Sequence, residues 1–293
     1  MTAIKPGPLL RLVLNPGSTS VAMQRALLET AFAALGTPGD VSREDVDADG
    51  VPAAWLTPAS ARPGRTLLYL HGGGYMMGSI RSHAPFVGRL ARACDARALL
   101  IEYRLAPEHP FPAALEDART AWRWLHQNRD GDEKLVLAGE SAGGGLSAAL
   151  MLASRDDGEP LPEAAFLLSA WADLADSDKS IKYVRRRRRT VVDFDVHYMA
   201  SMYAGDHDRR DPRISPVYGD WTGLPPVLIH AGRDEPVRAD SLRLAEVARE
   251  AGVDVTLEQY EGSVHSMHHL APLSREALRW IDRAGSFLDA HLS

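Results

Sequence analysis

Short runs rich in apolar residues alternate with amphipathic stretches along most of the chain. Six runs predict strands, at 66–71, 98–103, 134–139, 164–169, 226–231 and 253–260. Between and after them, hydrophobic residues recur at helical spacing at 82–93, 112–128, 142–153, 238–251 and 274–290. Buried strands that alternate with helices are typical of a parallel sheet covered on both faces. The pattern therefore predicts an α/β fold, whose functional residues lie just beyond the carboxyl ends of the strands.

The amino-terminal part of the chain shows a different pattern. Hydrophobic residues at helical spacing predict an amphipathic helix over 19–35, with Ser18 or Thr19 as its cap. Residues 40–57 predict a β-hairpin, because the dipeptide Asp49-Gly50 favours a tight turn. We therefore expect a helix and a hairpin ahead of the alternating part.

One segment interrupts the alternation. No clear strand pattern occurs over 171–224, whereas a helical pattern occurs near 193–204, so we expect a helical insertion between two strands. An uninterrupted arginine run, Arg185–Arg189, lies inside it. Like charges repel, so a solvated helix end or loop is the simplest interpretation of this run, with binding to nucleic acid or anionic lipid as the alternative.

Composition and charge narrow the class of protein. Of the 293 residues, 45% are hydrophobic and 25% are charged, as in globular proteins, which excludes a disordered or collagen-like chain. The net charge of −6 argues against general affinity for nucleic acid, which needs a basic surface. The single cysteine, Cys94, excludes an intramolecular disulfide and a cysteine-rich zinc site. Neither a secretory signal pattern nor an apolar stretch of about 20 residues is found, so we expect a cytoplasmic protein without a membrane span.

The sequence Gly-Glu-Ser-Ala-Gly at 139–143 matches the G-x-S-x-G pattern of a serine nucleophile. It follows a predicted strand and begins a predicted helix, which is the context that this pattern requires. Glycines at both ends allow a sharp turn that exposes the Ser141 hydroxyl beyond the strand. A glycine-rich turn without chemistry is the alternative, and the context favours the nucleophile.

A second glycine-rich sequence, His-Gly-Gly-Gly at 71–74, directly follows another predicted strand. Backbone amides without bulky side chains can approach a developing oxyanion, so we expect the N–H groups of Gly73, Gly74 and Ala142 to form an oxyanion hole. The alternative is a phosphate-binding loop. The dinucleotide pattern is not met cleanly and no P-loop pattern occurs, so nucleotide binding is disfavoured.

A serine nucleophile needs a base, and the base needs an acid that orients it. His265 is the best-placed base, because it follows the end of a predicted strand and comes after the serine in the chain. His71 is expected to orient the oxyanion loop, and His230 to be a core residue, whereas His268 and His269 fall later, towards the last helix. The remaining histidines are placed in loops or on surface helices: His83, His109, His126, His197, His207 and His291.

Several motifs together resemble the bacterial hormone-sensitive-lipase-like esterases, which have the α/β-hydrolase fold. They are His-Gly-Gly-Gly at 71–74, Tyr-Arg-Leu-Ala-Pro-Glu at 103–108 with Pro-Phe-Pro-Ala at 110–113, Gly-Glu-Ser-Ala-Gly-Gly at 139–144, and Gly-Leu-Pro-Pro at 223–226. The resemblance implies a single α/β-hydrolase domain over 1–293, with a mostly parallel central sheet flanked by helices. It also implies a helical cap formed by about 1–40 and the insertion at about 171–224.

The resemblance also bears on the acid. Asp234 and Glu235 both follow a predicted strand, and spacing alone leaves the choice between them open. The family's usual pattern is Gly-x-x-Asp-Pro-Leu, whereas this chain reads Gly-Arg-Asp-Glu-Pro-Val at 232–237. Alignment of the glycine and the proline implies Glu235 as the acid, with Asp234 as the alternative.

Other family-matching residues receive scaffold or pocket roles. Tyr75 and Met76 follow the oxyanion loop and are expected to line the acyl pocket, although core packing explains them equally well. Glu140 precedes the nucleophile, and we assign it local pairing and no chemistry. The residues expected to fix the loop after the strand at 98–103 are Arg104, Glu108 and Asp117.

Together these residues predict hydrolysis of a carboxylic ester through an acyl-enzyme, with Ser141, Glu235 and His265 as the triad. This mechanism implies a small-molecule ester as the partner and neither a metal nor an organic cofactor. The resemblance implies short or medium acyl chains. The sequence does not separate esters from lactones, carbamates or amides, and it leaves a homodimer open. A non-catalytic receptor, the alternative class, is disfavoured because all three triad positions carry suitable residues.

Overall fold

The computed structural model describes residues 20–175, 196–261 and 265–293. The strands of its sheet are β1 (Val41–Asp47), β2 (Pro52–Pro58), β3 (Arg65–Leu70), β4 (Arg97–Ile101), β5 (Lys134–Glu140), β6 (Ala165–Leu168), β7 (Val227–Gly232) and β8 (Val255–Tyr260). The α-helices of the described residues are α1 (Val21–Ala33), α2 (Ile80–Ala93), α3 (Ala113–Gln127), α4 (Ala142–Asp156), α5 (Val196–Ala204), α6 (Arg238–Glu250) and α7 (Arg275–His291). Short 3₁₀ segments occur at Pro216–Tyr218 and Met267–Leu273.

The predicted elements agree with the structure except at some ends. The six predicted strands are β3 to β8, and the predicted helices correspond to α1 to α7. The helical pattern near 193–204 is α5, in the middle of the predicted insertion. The cap of α1 is Ser20 rather than Ser18 or Thr19, and those two residues lie outside the described residues.

All the strands belong to one sheet, in the order β1-β2-β4-β3-β5-β6-β7-β8. β1 pairs with β2, and β2 with β4, in antiparallel fashion, and every other neighbouring pair is parallel. This arrangement confirms the predicted α/β-hydrolase fold with a mostly parallel sheet. Because parallel strands end at the same edge, the residues that follow β3, β5, β7 and β8 meet there.

Helices cover both faces of the sheet, because alternate residues of a strand point to opposite sides. On β3, Leu67 and Tyr69 pack in the cluster that contains side chains of α2 and α7. Leu68 and Leu70 pack in the other cluster, with side chains of α3, α4 and α6. Burial on both faces explains why the central strands read as apolar runs rather than as an alternating pattern.

β1 and β2 form the predicted hairpin around Asp49 and Gly50. Their φ angles are 60° and 91°, and a two-residue hairpin turn of type I′ needs such positive values at both central positions. The Asp47 carboxylate accepts a hydrogen bond of 2.6 Å from the Gly50 amide. The hairpin extends the sheet beyond β4 and leaves the opposite part of the sheet to carry the functional loops.

Arg25 fixes α1 against the loops that follow β3 and β4. Its guanidinium donates to the backbone oxygens of Met76 and Ala106 at 2.7 and 3.0 Å. It also pairs with Glu108 at 2.7 Å. Glu108 therefore connects the loop after β4 to α1, which is a scaffold contact of the kind expected from the sequence.

Arg104 and Asp117 hold the loop after β4 in place. The Asp117 carboxylate accepts hydrogen bonds of 2.9 and 2.8 Å from the Arg104 guanidinium. It also accepts a hydrogen bond of 2.8 Å from the Arg104 amide. Side-chain and backbone donors on one carboxylate fix the loop against α3, on which Asp117 lies.

Parts of the expected cap lie outside the described residues. These are 1–19, 176–195 and, inside the latter, the Arg185–Arg189 run. The described helices of the two segments are α1 and α5, which contact the loop after β3 through Arg25 and Met199 respectively. Within 20–175, 196–261 and 265–293, no helix has the length and apolar character that crossing a membrane requires.

We expect Gly143 at the start of α4 to tolerate no side chain. A Cβ at this position would overlap the backbone oxygens of Leu70 and His71, which the sheet holds in place. Gly143→Ala should lower the free energy of unfolding by about 1–3 kcal/mol or more, because backbone atoms must move to relieve the overlap. Urea unfolding followed by circular dichroism measures this loss. The matched control is Gly39→Ala, where a Cβ meets nothing within 4 Å. Equal stability of the two variants would contradict the prediction.

Candidate active site

Ser141 lies at the sharp turn between β5 and α4. Its backbone has φ 55° and ψ −122°, and such a conformation costs a non-glycine residue about 1–3 kcal/mol. Hydrogen bonds hold it there: the Ser141 amide donates to the Leu168 oxygen at 2.9 Å, and the Ser141 oxygen accepts from the amides of Gly145 and Trp171 at 3.1 and 2.9 Å. The turn therefore presents the Ser141 side chain beyond the end of the strand.

Glycines on both sides of Ser141 allow the turn to pack tightly. A Cβ at Gly139 would overlap the backbone of Gly143, and a Cβ at Gly143 would overlap the backbone oxygen of Leu70. The strand and the helix thus approach to a distance that only glycine permits. The G-x-S-x-G pattern has glycine at both ends because this close approach leaves no room for a side chain.

A chain of hydrogen bonds links Ser141, His265 and Glu235. The Ser141 Oγ lies 2.8 Å from His265 Nε2, and His265 Nδ1 lies 3.0 Å from Glu235 Oε2. Glu235 is 1% exposed, whereas Ser141 and His265 are partly exposed. The three residues follow β5, β8 and β7, so the common edge of the parallel strands brings them together. This order of hydroxyl, imidazole and buried carboxylate is the arrangement that activates a serine nucleophile.

Of the two neighbouring carboxylates, Glu235 is the one hydrogen-bonded to His265. Its Oε1 accepts a hydrogen bond of 2.8 Å from the Gly232 amide, and its Oε2 lies 3.4 Å from the Tyr260 hydroxyl. Asp234 is half-buried on the same loop. Both oxygens of Glu235 thus have partners, which restrict the carboxylate to one orientation.

The loop after β3 carries the expected oxyanion donors. Gly73 and Gly74 have φ angles of 115° and 65°, which favour glycine. A Cβ would overlap the Met77 backbone at the first position and the Met199 sulfur at the second. In the part of the chain that the structure describes, the amides of Gly73, Gly74 and Ala142 donate to no other backbone group. Ala142 is the first residue of α4, where amides have no intrahelical acceptor, so these N–H groups remain available to a ligand.

His71 supports this loop from within the core. Its ring stacks on Tyr103 with centroids 4.2 Å apart, and its Nδ1 lies 2.8 Å from the Gly72 oxygen. Burial, reinforced by His83, lowers the pKa of His71 to about 3. A buried imidazole that stays neutral at physiological pH and faces the loop backbone fits the orienting role expected from the sequence.

Tyr75 and Met76 continue the loop and are both buried in the larger core cluster. Tyr75 stacks on Tyr203 of α5 with ring centroids 3.6 Å apart, and the Trp171 ring lies 6.0 Å away. The loop, α5 and the segment after β6 thus contribute adjacent aromatic rings. Core packing therefore accounts for at least part of the burial of Tyr75 and Met76.

The expectation that His83 lies in a loop or on a surface helix is wrong. His83 is 1% exposed, and its Nε2 lies 2.8 Å from Oε1 of Glu140, which is 3% exposed. His269 Nε2 lies 3.6 Å from the same oxygen. The sequence contained a signal for this burial, since His83 falls on the apolar face of α2 at helical spacing from Ile80 and Val87.

Among the described residues, the group best placed to hold a metal ion consists of His83, Glu140 and His269. Their ligand atoms lie within 4.8 Å of one another, and all three residues are buried. Two imidazoles and a carboxylate suit Zn²⁺, but structural zinc sites are closed tetrahedra that need one ligand more. Glu140 Oε1 also already accepts a hydrogen bond of 2.6 Å from the Gly72 amide. The group therefore fits a hydrogen-bonded cluster better than a metal centre.

Comparison with known proteins relates the whole arrangement to ester hydrolases. Residues 67–269 match the family described as the α/β hydrolase fold. The chain is 43% identical to an acetyl-hydrolase of Streptomyces hygroscopicus over 270 residues, which cover 92% of this chain and 88% of that protein. It is similar, with a TM-score of 0.89 and 36% identity, to an esterase from the bacterial hormone-sensitive lipase family, over 98% of this chain and 99% of that one. The esterase EstE5, soaked with p-nitrophenyl butyrate, has a TM-score of 0.89 and 37% identity over 98% and 99% of the two chains.

The burial of His71 predicts a loss of stability in acid. Because the pKa of His71 is about 3 in the folded protein, only the unfolded chain takes up this proton between about pH 6 and pH 3. His71 alone therefore lowers the free energy of unfolding by about 1.4 kcal/mol for each unit by which the pH drops in this range. Urea unfolding at several pH values measures the slope of the free energy of unfolding against pH. Between about pH 4 and pH 5.5, we expect this slope to be smaller in His71→Gln by the amount that corresponds to about one bound proton. His109→Gln, at an exposed position, is the control. An unchanged slope in His71→Gln would mean that the folded protein also protonates His71.

Proposed function

The chain belongs to the α/β-hydrolase-fold family and, within it, to the bacterial hormone-sensitive-lipase-like esterases, and on that premise we propose that it hydrolyses short- to medium-chain acyl esters with Ser141, His265 and Glu235. Carboxylesterase activity follows from the family. The observation that carries the residue assignment is the hydrogen-bond chain from Ser141 Oγ through both ring nitrogens of His265 to Glu235.

Catalysis proceeds in two half-reactions through an acyl-enzyme. His265 Nε2, 2.8 Å from Ser141 Oγ, takes the hydroxyl proton as Oγ attacks the carbonyl carbon of the ester. The tetrahedral intermediate collapses when His265 gives that proton to the leaving alkoxide, which departs as the alcohol. Water, deprotonated by the same imidazole, then attacks the acyl-Ser141, and the carboxylic acid is released with Ser141 restored.

Glu235 and the oxyanion loop supply the electrostatic part of the mechanism. Glu235 keeps the proton of His265 on Nδ1 and stabilises the imidazolium that forms during each half-reaction. The amides of Gly73, Gly74 and Ala142 hold the oxyanion of the tetrahedral intermediate. A donor of this kind contributes about 10²–10³ in rate, because it is already oriented when the charge develops.

Short acyl chains are the substrate feature with the most support. The relative from Streptomyces hygroscopicus is named an acetyl-hydrolase, and EstE5 was soaked with a butyrate ester. In this chain, the buried Tyr75 and Met76 directly follow the oxyanion loop, and Tyr75 is packed between α5 and the segment after β6. We therefore assign Tyr75 and Met76 to the wall of the acyl pocket.

Several expectations stay predictions from the sequence. They are the cap formed by about 1–40 and 171–224, the single domain over 1–293 and the cytoplasmic location, and the sequence leaves a homodimer open. Lactones, carbamates and amides would react by the same steps, so they remain alternative substrates. A receptor function is disfavoured, because ligand binding alone does not need a serine hydroxyl 2.8 Å from an oriented imidazole.

Initial rates on p-nitrophenyl esters from acetate to dodecanoate test the proposed function. We expect kcat/KM to peak at the short chains, and Ser141→Ala to lower kcat by about 10⁶-fold, because the nucleophile is lost. Circular dichroism should show that the variant keeps its fold. Activity that is equal in Ser141→Ala, or absent in the wild type at every chain length, would contradict the proposal.

A paired substitution tests the acid. Glu235→Gln should lower kcat by about 10³–10⁴-fold, because the amide no longer stabilises the imidazolium or holds the required tautomer. Asp234→Asn is the matched control at the adjacent position and should stay within about two-fold of the wild type. The assay is kcat on p-nitrophenyl acetate at neutral pH. A large loss in Asp234→Asn with little change in Glu235→Gln would assign the acid to Asp234 instead.

A further inference from the structure

Glu140 carries a buried carboxylate that the proposed reaction does not use. It is the last residue of β5, directly before Ser141, and it is 3% exposed. A carboxylate removed from water is costly unless hydrogen bonds or opposite charges offset the loss of hydration. The partners of Glu140 therefore indicate what this residue does for the fold and for the site.

The first partner is the oxyanion loop. Glu140 Oε1 accepts a hydrogen bond of 2.6 Å from the amide of Gly72. A Cβ at Gly72 would overlap the carboxylate, so the side chain lies directly against the backbone of this residue. Gly72 immediately precedes Gly73 and Gly74, whose amides are the proposed oxyanion donors. The position of the carboxylate thus fixes where the donor-bearing peptide units begin.

The other partners are two histidines from separate elements. His83 Nε2, on α2, lies 2.8 Å from Glu140 Oε1, and His83 Nδ1 lies 2.8 Å from the Ser82 hydroxyl. His269 Nε2 lies 3.6 Å from the same carboxylate oxygen. His269 follows His265 by four positions and stacks on Phe32 of α1 with ring centroids 4.6 Å apart. One carboxylate therefore joins the oxyanion loop, α2 and the segment that carries the base.

The electrostatics of the cluster favour an ionised Glu140. Burial alone would raise the pKa of Glu140, but the neighbouring imidazoles of His269 and His83 together outweigh it and hold the pKa below its usual value. Burial lowers the pKa of His269 more strongly than Glu140 raises it, and the adjacent His71 is neutral. An ionised acceptor forms a shorter and stronger hydrogen bond with an N–H group than a neutral one does.

We propose that Glu140, held in place by His83 and His269, is a positioning residue that fixes Gly72 and thereby aims the amides of Gly73 and Gly74 at the oxyanion. This inference rests on the proposed function, since it concerns the same site. Glu140 touches neither the ester nor Ser141 Oγ in this role. Its contribution comes from the charge and the placement of one carboxylate, and it should appear in kcat rather than in KM.

The test compares Glu140→Gln and His83→Phe with the wild type and with a matched control. Glu140→Gln keeps the shape of the side chain and removes its charge, whereas His83→Phe keeps a ring and removes the donor. The control is Glu133→Gln, which removes the charge of another buried carboxylate. Glu133 is 4% exposed and pairs with Arg97 at 2.8 Å, and it directly precedes β5, at the opposite end of that strand from Glu140. The readouts are kcat and KM on p-nitrophenyl butyrate, and the affinity for a short-chain alkyl trifluoromethyl ketone.

The ketone reports on the oxyanion directly. Ser141 Oγ adds to its carbonyl carbon, the hydroxyl proton moves to His265, and the carbonyl oxygen becomes an anion at the loop amides. We expect Glu140→Gln to lower both kcat and the ketone affinity by about 10–100-fold, and His83→Phe by about 10-fold, with KM within about two-fold. Glu133→Gln should lose stability and keep kcat and ketone affinity within about two-fold of the wild type.

Three results would overturn the inference. One is a folded Glu140→Gln variant with kcat within about two-fold of the wild type. Another is a loss of kcat with unchanged ketone affinity, which would locate the defect away from the oxyanion. The third is zinc bound by purified wild-type protein and lost together with activity on EDTA treatment, which would make the cluster a metal site. If Glu140→Gln does not fold, the same criteria apply to His83→Phe.

The design separates this inference from the proposed function. Fluorine NMR measures ketone binding without turnover, so the loop can be tested even if no ester is hydrolysed. Wild-type turnover that disappears in Ser141→Ala, together with an unaffected Glu140→Gln, would reject the positioning role and leave the esterase assignment intact. If no ester is turned over but Glu140→Gln weakens ketone binding, the positioning role is supported and the esterase assignment is rejected.

Discussion

The turn at Ser141 is the constraint on which the rest of the site depends. A residue with φ 55° can occupy this position only because hydrogen bonds from the strand-end segments hold its backbone and because Gly139 and Gly143 permit close packing. The turn lies between β5 and α4, at the centre of the sheet, where the loops after β3, β7 and β8 converge. A serine displaced from this turn would face neither the imidazole nor the glycine amides, so the backbone of one residue sets the geometry for all the others.

Two buried carboxylates lie on either side of this turn and are satisfied in the same way. Glu235 accepts from the Gly232 amide and lies 3.0 Å from an imidazole nitrogen of His265. Glu140 accepts from the Gly72 amide and lies 2.8 Å from an imidazole nitrogen of His83. Each pairing combines a backbone donor with a ring donor, which offsets the cost of burying the charge. In the proposed mechanism the first orients the imidazole that moves a proton, and the second contacts the loop that carries the proposed oxyanion donors.

The sequence was informative where one local pattern determines one local structure. Apolar runs predicted six strands, and the strand–turn–helix context of Ser141 predicted the turn. It was uninformative where distant residues meet. His83 has a helical context like that of many surface histidines, and its burial depends on how α2 packs against the end of β5, a long-range contact that spacing within α2 only hints at. The choice between Asp234 and Glu235 likewise depends on which side chain faces His265, and two adjacent residues on a loop carry no periodic signal that decides this.

The Glu235 side chain is longer than the aspartate of the family's usual pattern, and its contacts compensate for that length. A glutamate places its carboxylate one methylene farther from the backbone than an aspartate does, and it has one more bond whose rotation must be fixed at an entropic cost. Here the side chain folds back so that Oε1 meets the amide of Gly232, three residues earlier, while Oε2 faces His265. The Tyr260 hydroxyl lies 3.4 Å from Oε2 and 2.9 Å from the Ser169 hydroxyl, so it also contacts the carboxylate. Contacts from the ends of β7 and β8 and from the residue after β6 therefore hold this carboxylate beside the imidazole. It is this packing, rather than the motif itself, that favours Glu235 as the proposed acid.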